Sequence, residues 1–254
     1  MAEKKSYQQL NKMKINRNTN IILTNEDKSN GFKSLKTAGM TIHHYPMIKT
    51  SKQANYKTIN LNDYDSFIFT SRNGVRYFFD MEFTKNKNKN KINAICIGSK
   101  TEKYLKKYDV KIVYTSKRAY SKILCENLKT SRIIDSKRVL LVQGNLAKNN
   151  LGECLKKFCL LTKFVSYKTE LMKKLDKSLK SLLHNFQTYS VFTSQSSFEA
   201  FSKLYDPSKT NIISIGNTTS DYIRNSGYLP LITSKMQTYE GISDSIISYF
   251  ENKN

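Results

Sequence analysis

The strongest constraint on this chain's fold is a repeat within itself. Phe69-Thr70-Ser71-Arg72-Asn73-Gly74-Val75 has a later counterpart in Phe192-Thr193-Ser194-Gln195-Ser196-Ser197-Phe198. Ile97-Gly98-Ser99-Lys100-Thr101 recurs as Ile215-Gly216-Asn217-Thr218-Thr219, and Thr115-Ser116-Lys117 as Thr233-Ser234-Lys235. Ile97 and Thr115 are 18 residues apart, as are Ile215 and Thr233. Three matched signals in one order mark a duplicated unit, so two similar domains follow.

The character of those domains comes from periodicity. Short apolar runs at Asn20–Thr24, Ser66–Thr70, Ala94–Ile97, Val110–Tyr114, Val139–Val142, Ser190–Thr193, Ile212–Ile215 and Leu229–Thr233 read as strands. Segments of helical period lie between them, near 31–38, 72–82, 100–107, 119–129, 148–158, 172–184, 196–204, 218–226 and 240–250. Such alternation predicts α/β lobes, with parallel sheets covered by helices on both faces.

Each repeated motif ends a strand in Thr-Ser, or in Ile-Gly with hydroxyl residues, and then opens a helix. Ser, Thr and Asn there cap the helix by accepting from its free N–H groups. Gly98 and Gly216 allow a tight turn and close approach of a ligand to the backbone. Ligands of open parallel sheets bind beyond the carboxyl ends of the strands, and helix N-termini favour anions there. Two such edges facing each other would form a cleft for a polyanion.

Composition narrows the function classes. The 254 residues suffice for two modest domains, and no apolar run reaches the ~20 residues that span a bilayer. Residues 1–19 are basic and polar without an apolar core, and are expected to form a disordered tail. The net charge of +23 fits a phosphate-rich partner or a strongly anionic small molecule. The lysines are dispersed and interleaved with Asn, as in Lys85-Asn86-Lys87-Asn88-Lys89-Asn90-Lys91, and no basic stripe with aromatics appears. The charge alone does not separate these readings; the expectation adopted is no nucleic acid and no membrane among the partners. Cys96, Cys125, Cys154 and Cys159 form no CxxC pair, which argues for a reducing compartment and against disulfides or zinc. His43 and His44 are adjacent, so on a strand they would face opposite sides and give no ligand spacing, and no metal is expected.

The ordered set of Phe69-Thr70-Ser71, Ile97-Gly98 with Thr101, a Gly-Asn-Leu segment, Val165-Ser166-Tyr167-Lys168-Thr169, Phe192-Thr193-Ser194, Ile215-Gly216-Asn217-Thr218-Thr219 and Thr238-Tyr239-Glu240-Gly241-Ile242 resembles uroporphyrinogen-III synthase. The match runs from about Asn20 to Phe250. The resemblance implies two flavodoxin-like lobes joined by a two-stranded antiparallel connector. One lobe would be discontinuous, 20–42 plus 172–254; the connector would be 43–56 and 161–171, and the inner lobe 57–160. It further implies a cofactor-free, cytoplasmic, monomeric lyase that cyclises hydroxymethylbilane, a linear tetrapyrrole with carboxylate side chains, and inverts its last ring. Tyr167 matches the family tyrosine implicated in hydroxyl departure, and Thr101, Thr218 and Thr219 match hydroxyl positions at the cleft. Thr70, Ser71, Thr193 and Ser194 are candidates of the same type, with Arg72 and Lys100 beside them as carboxylate partners. The chain departs from the family pattern at Asn25 and Gln143, where many members carry Arg, and at Gln195, where Pro is frequent. A two-lobe binding or regulatory relative without turnover is the alternative on the same scaffold.

Overall fold

The computed structural model describes residues 19–27, 30–54, 58–84, 89–116 and 121–252. The N-terminal tail through residue 18, Lys85 to Asn88 and Lys117 lie outside them. The chain forms two compact units, one of 1–49 with 170–254 and one of 50–169, and it passes between them inside two strands.

The first unit holds a wholly parallel five-stranded sheet. Its strands are β1 (Asn20–Leu23), β2 (Thr41–His44), β9 (Thr188–Phe192), β10 (Asn211–Ser214) and β11 (Ile232–Thr233), in the order β11-β10-β9-β1-β2. Five helices belong to it: α1 (Lys33–Thr37), α6 (Lys177–Asn185), α7 (Gln195–Leu204), α8 (Asn217–Asn225) and α9 (Tyr239–Glu251). Alternate strand residues face opposite sides, so Ile21 and Val191 pack with Ile242 and Ile246 of α9. Ile22 and Phe192 pack with Leu179 of α6 and Phe198 of α7. Two covered faces explain why the central strands are largely apolar, with Ser190 and Ser214 as small buried exceptions.

The second unit repeats the plan. Its strands are β3 (Ile48–Lys52), β4 (Ser66–Phe69), β5 (Asn93–Ile97), β6 (Lys111–Ser116), β7 (Arg138–Gly144) and β8 (Leu160–Leu171), in the order β3-β8-β7-β4-β5-β6. Its helices are α2 (Arg72–Phe79), α3 (Ser99–Leu105), α4 (Ser121–Ser131) and α5 (Asn150–Leu155). One face is aromatic, built on Phe67, Phe69, Phe78 and Phe164; the other is aliphatic, built on Ile68, Leu141, Leu124 and Leu155. The segment expected as a connector strand is β8. It pairs in parallel with β7 from Leu160 to Tyr167 and runs beside β3, where Gln53 N–H donates to the Ser166 carbonyl at 3.2 Å.

Several elements are shorter than their patterns predict, among them the helix expected over 148–158, which keeps only Asn150–Leu155, and three whose limits are set as follows. The strand expected at Leu229–Thr233 begins only at Ile232: Pro230 has no N–H for a ladder, and Leu229 is 81% exposed. The helix expected from 172 begins at Lys177, because the Asp176 carboxylate accepts from the N–H groups of Ser178 and Leu179 and sets the cap there. The helix expected over 31–38 retains only Lys33–Thr37.

The cysteine expectation is corrected. Cys125 of α4 and Cys154 of α5 are joined in a disulfide, with 6.4 Å between their Cα atoms. Both helices pack on the aliphatic face of the second sheet, which brings thiols 29 residues apart within bridging range. Nothing in the linear spacing signals that neighbourhood. Cys96 and Cys159 remain free and buried, and Cys96 sits among the apolar residues around it as a small hydrophobe. Alkylating the unfolded, unreduced protein should therefore label Cys96 and Cys159 alone, and prior reduction should expose all four thiols. Four labels without reductant would contradict the bridge.

Candidate active site

In the second unit, Thr70 and Ser71 follow β4, and Thr101 sits in the first turn of α3 after β5, at the carboxyl edge of the sheet. Ser71 caps α2: its Oγ accepts from Gly74 N–H at 3.0 Å. Thr101 is only 4% exposed, and its backbone N–H donates to the Gly98 carbonyl at 3.1 Å. Gly98 precedes it at φ +79°, a left-handed conformation that glycine adopts without penalty. Arg72, in the first turn of α2, is exposed and forms no ion pair among the described residues.

Tyr167 lies at the same edge. It sits on β8 opposite Gly144, at a register irregularity between β7 and β8. Its Oη is 3.3 Å from Ser71 Oγ, a contact between residues 96 apart in sequence. Either hydroxyl can donate in this contact, and Ser71, whose Oγ accepts from Gly74 N–H, can give its own hydrogen to Tyr167. The phenol hydrogen is then left for a further acceptor. Gly144 is required by this packing: a Cβ there would stand 2.5 Å from Tyr167 Cζ. Burial raises the phenol above its ordinary value of 10.0, partly offset by the Ser71 hydrogen bond and reinforced by the neighbouring Tyr77. Tyr167 is thus a protonated donor at neutral pH.

The first unit repeats the caps. Thr193 and Ser194 follow β9, and Ser194 Oγ accepts from Ser197 N–H at 3.1 Å. Thr218 and Thr219 lie in the first turn of α8: Thr218 is exposed and its carbonyl accepts from Gln195 Nε2 at 3.1 Å, whereas Thr219 is 5% exposed. The structure therefore brings Thr70, Ser71, Thr101 and Tyr167 to one sheet edge, and Thr193, Ser194, Thr218 and Thr219 to the corresponding edge of the other sheet.

Strand register also equates the two positions that depart from the family pattern. Leu23 pairs with Val191, and Val142 pairs with Phe69. Since Phe69 and Phe192 are repeat counterparts, Thr24 matches Val142 and Asn25 matches Gln143. Both amides are buried, at 2% and 7% exposure. Asn25 Nδ2 donates to the carbonyl and carboxylate of Asp27, while its Oδ1 has no partner among the described residues. Gln143 makes no side-chain hydrogen bond among the described residues. The repeat motifs alone miss this equivalence, because the strands that carry it, β1 and β7, share no residue pattern. Tyr77 was also invisible as a site residue, reading as an apolar helix position, and Gly144 stood out only as the start of the Gly-Asn-Leu segment.

The family model described as "Uroporphyrinogen-III synthase HemD" matches residues 32–244. The chain belongs to the uroporphyrinogen-III synthase family. Among solved structures, uroporphyrinogen-III synthetase of Helicobacter pylori 26695 is 18% identical, with a TM-score of 0.64 over 91% of this chain and 99% of its own. A mutant uroporphyrinogen III synthase of the extremely thermophilic bacterium Thermus thermophilus is 14% identical, with a TM-score of 0.65 over 93% of this chain and 100% of its own. At those identities the likeness speaks for the fold, and the family model speaks for the kinship. No curated protein sequence matches the chain. Among the described residues no cluster of His, Cys, Asp and Glu could hold a metal ion, and no helix is long and apolar enough to cross a membrane.

Proposed function

We propose that this uroporphyrinogen-III synthase family member closes hydroxymethylbilane with inversion of the last ring, and that Tyr167 assists the first step. The observation that carries the assignment of Tyr167 is its phenol: buried, 3.3 Å from the Ser71 hydroxyl, and placed at a carboxyl sheet edge. In that step the pyrrole nitrogen's electron pair expels the hydroxyl. The C–O bond breaks, the departing oxygen accepts a hydrogen bond from Tyr167, and water leaves once the pyrrole N–H proton is given up. The far ring then attacks the resulting azafulvene through its substituted carbon, and fragmentation with reclosure inverts it. Closure demands little acid–base work beyond hydroxyl loss, so holding the chain in the reactive conformation is the main task.

The helix N-termini capped by Ser71 and Ser194, with Thr70, Thr193, Thr101, Thr218 and Thr219 around them, are read as the positions that receive substrate carboxylates. Arg72 supplies a cation beside them. The backbone N–H groups of Thr101 and Thr219 already donate to the Gly98 and Gly216 carbonyls at 3.1 Å, so their hydroxyls are the groups read as offered to a carboxylate. Gln143 stands at the same edge as Tyr167 with an unused amide. Gln143→Leu removes no side-chain hydrogen bond made among the described residues, so the melting temperature should hold. KM should rise roughly fivefold, the equivalent of about one ordinary hydrogen bond.

The decisive assay supplies hydroxymethylbilane to the purified chain and resolves the porphyrin isomers after oxidation. Type III product is expected; type I alone, the spontaneous outcome, returns the chain to a non-catalytic relative. The reading also takes the protein as a cytoplasmic monomer acting as a lyase. Gel filtration tests the oligomeric state. Acid-quenched alkylation of cells tests the location, since a reducing cytoplasm would hold Cys125 and Cys154 as thiols.

A further inference from the structure

We infer that Tyr77 is a positioning residue for the reaction, acting through Tyr167; the inference rests on the reading of Tyr167 above. The two rings stack with centroids 5.6 Å apart and planes 19° from parallel. The Tyr77 ring is itself fixed at both ends. Its Cβ belongs to α2, and its hydroxyl donates to the Thr50 carbonyl of β3 at 3.0 Å while lying 3.0 Å from Thr50 Oγ1. Tyr77 and Thr50 are each 8% exposed, so Tyr77 has neither the access nor a free hydroxyl to meet a substrate.

These contacts leave Tyr167 little freedom. Helix α2 touches it twice, with Ser71 at the hydroxyl and Tyr77 against the ring. From another side, the bare Cα of Gly144 admits the ring where a Cβ would collide with it. A tyrosine on a strand has two side-chain torsions to restrain, and hydrogen bonding through Ser71 at 3.3 Å is too long to restrain both alone. The Tyr77 ring supplies the flat surface that sets the ring plane, and so the direction in which the phenol hydrogen points. Reaction rates are steep in such placement: a misplacement of about 1 Å costs on the order of a hundredfold.

The test is a double-mutant cycle on the full chain, with kcat, KM and thermal unfolding measured for Tyr77→Leu, Tyr77→Phe, Tyr167→Phe and the Leu/Phe double variant. Tyr77→Leu should lower kcat about tenfold, a partial loss of placement, and leave KM within about twofold. Tyr77→Phe keeps the stacked ring and should recover most of that loss. In the Tyr167→Phe background, Tyr77→Leu should lower kcat no further, because the group it positions is gone. An unchanged kcat in Tyr77→Leu, or the same loss with and without the Tyr167 hydroxyl, overturns the inference. An unchanged kcat in Tyr167→Phe alone instead overturns the reading of Tyr167, so the two failures are separable. If Tyr77→Leu does not fold, Tyr77→Met, which fills the space without a ring, is judged by the same criteria.

Discussion

Tyr167→Phe is expected to lower kcat by about a hundredfold, the low end of what a positioned proton donor contributes, while leaving KM and the unfolding transition nearly unchanged. The reason is local. The variant keeps the ring, and with it the Tyr77 stack and the fit over Gly144, and removes only the hydroxyl beside Ser71. Ser71 Oγ keeps its bond from Gly74 N–H, so the α2 cap survives. The pH dependence carries the same signature. Burial holds the phenol above 10.0, so between about pH 6 and pH 9 the donor is fully protonated and should contribute no limb to the kcat profile. The linkage runs the same way. The folded state binds this proton more tightly than the unfolded chain, so its stabilising contribution is complete below pH 10 and fades as pH rises through the folded value. A tyrosine limb near neutrality would contradict the burial described here.

Phe78→Ala is the largest stability loss expected, about 3–5 kcal/mol, as for a large aromatic removed from a core that closes poorly around the cavity. Phe78 is fully buried in the aromatic face of the second sheet. Its ring meets those of Phe67, Phe69, Phe79, Phe83 and Phe164 at centroid distances from 5.2 to 6.1 Å, mostly edge-on. Five aromatic neighbours are rigid, and none can swing in to fill the space of the lost ring. Urea unfolding followed by circular dichroism measures the loss. Hydrogen exchange locates it, with protection falling in β4, β5 and β7 and holding in β1, β9 and β10. A loss under about 1 kcal/mol would falsify the packing described.

The alternation of apolar runs and helical periods, with hydroxyl caps at matched places, was sufficient for two α/β units with parallel sheets. Those are local properties: a cap such as Ser71 or Ser194 bonds an N–H three residues ahead, and a strand buried on both faces is largely apolar rather than alternating. The motif order was likewise enough to place the chain beside uroporphyrinogen-III synthase. What escaped the sequence depends on which elements become neighbours. The Cys125–Cys154 bridge needs α4 beside α5, the equivalence of Asn25 and Gln143 needs strand register, and the ring of Tyr77 against Tyr167 needs β8 beside α2. Periodicity along a chain reports which face of an element is buried, and says nothing of what lies across from it. The fold class was therefore determined by residues read in order, while the surroundings of Tyr167 were decided only when strands and helices distant in sequence packed together.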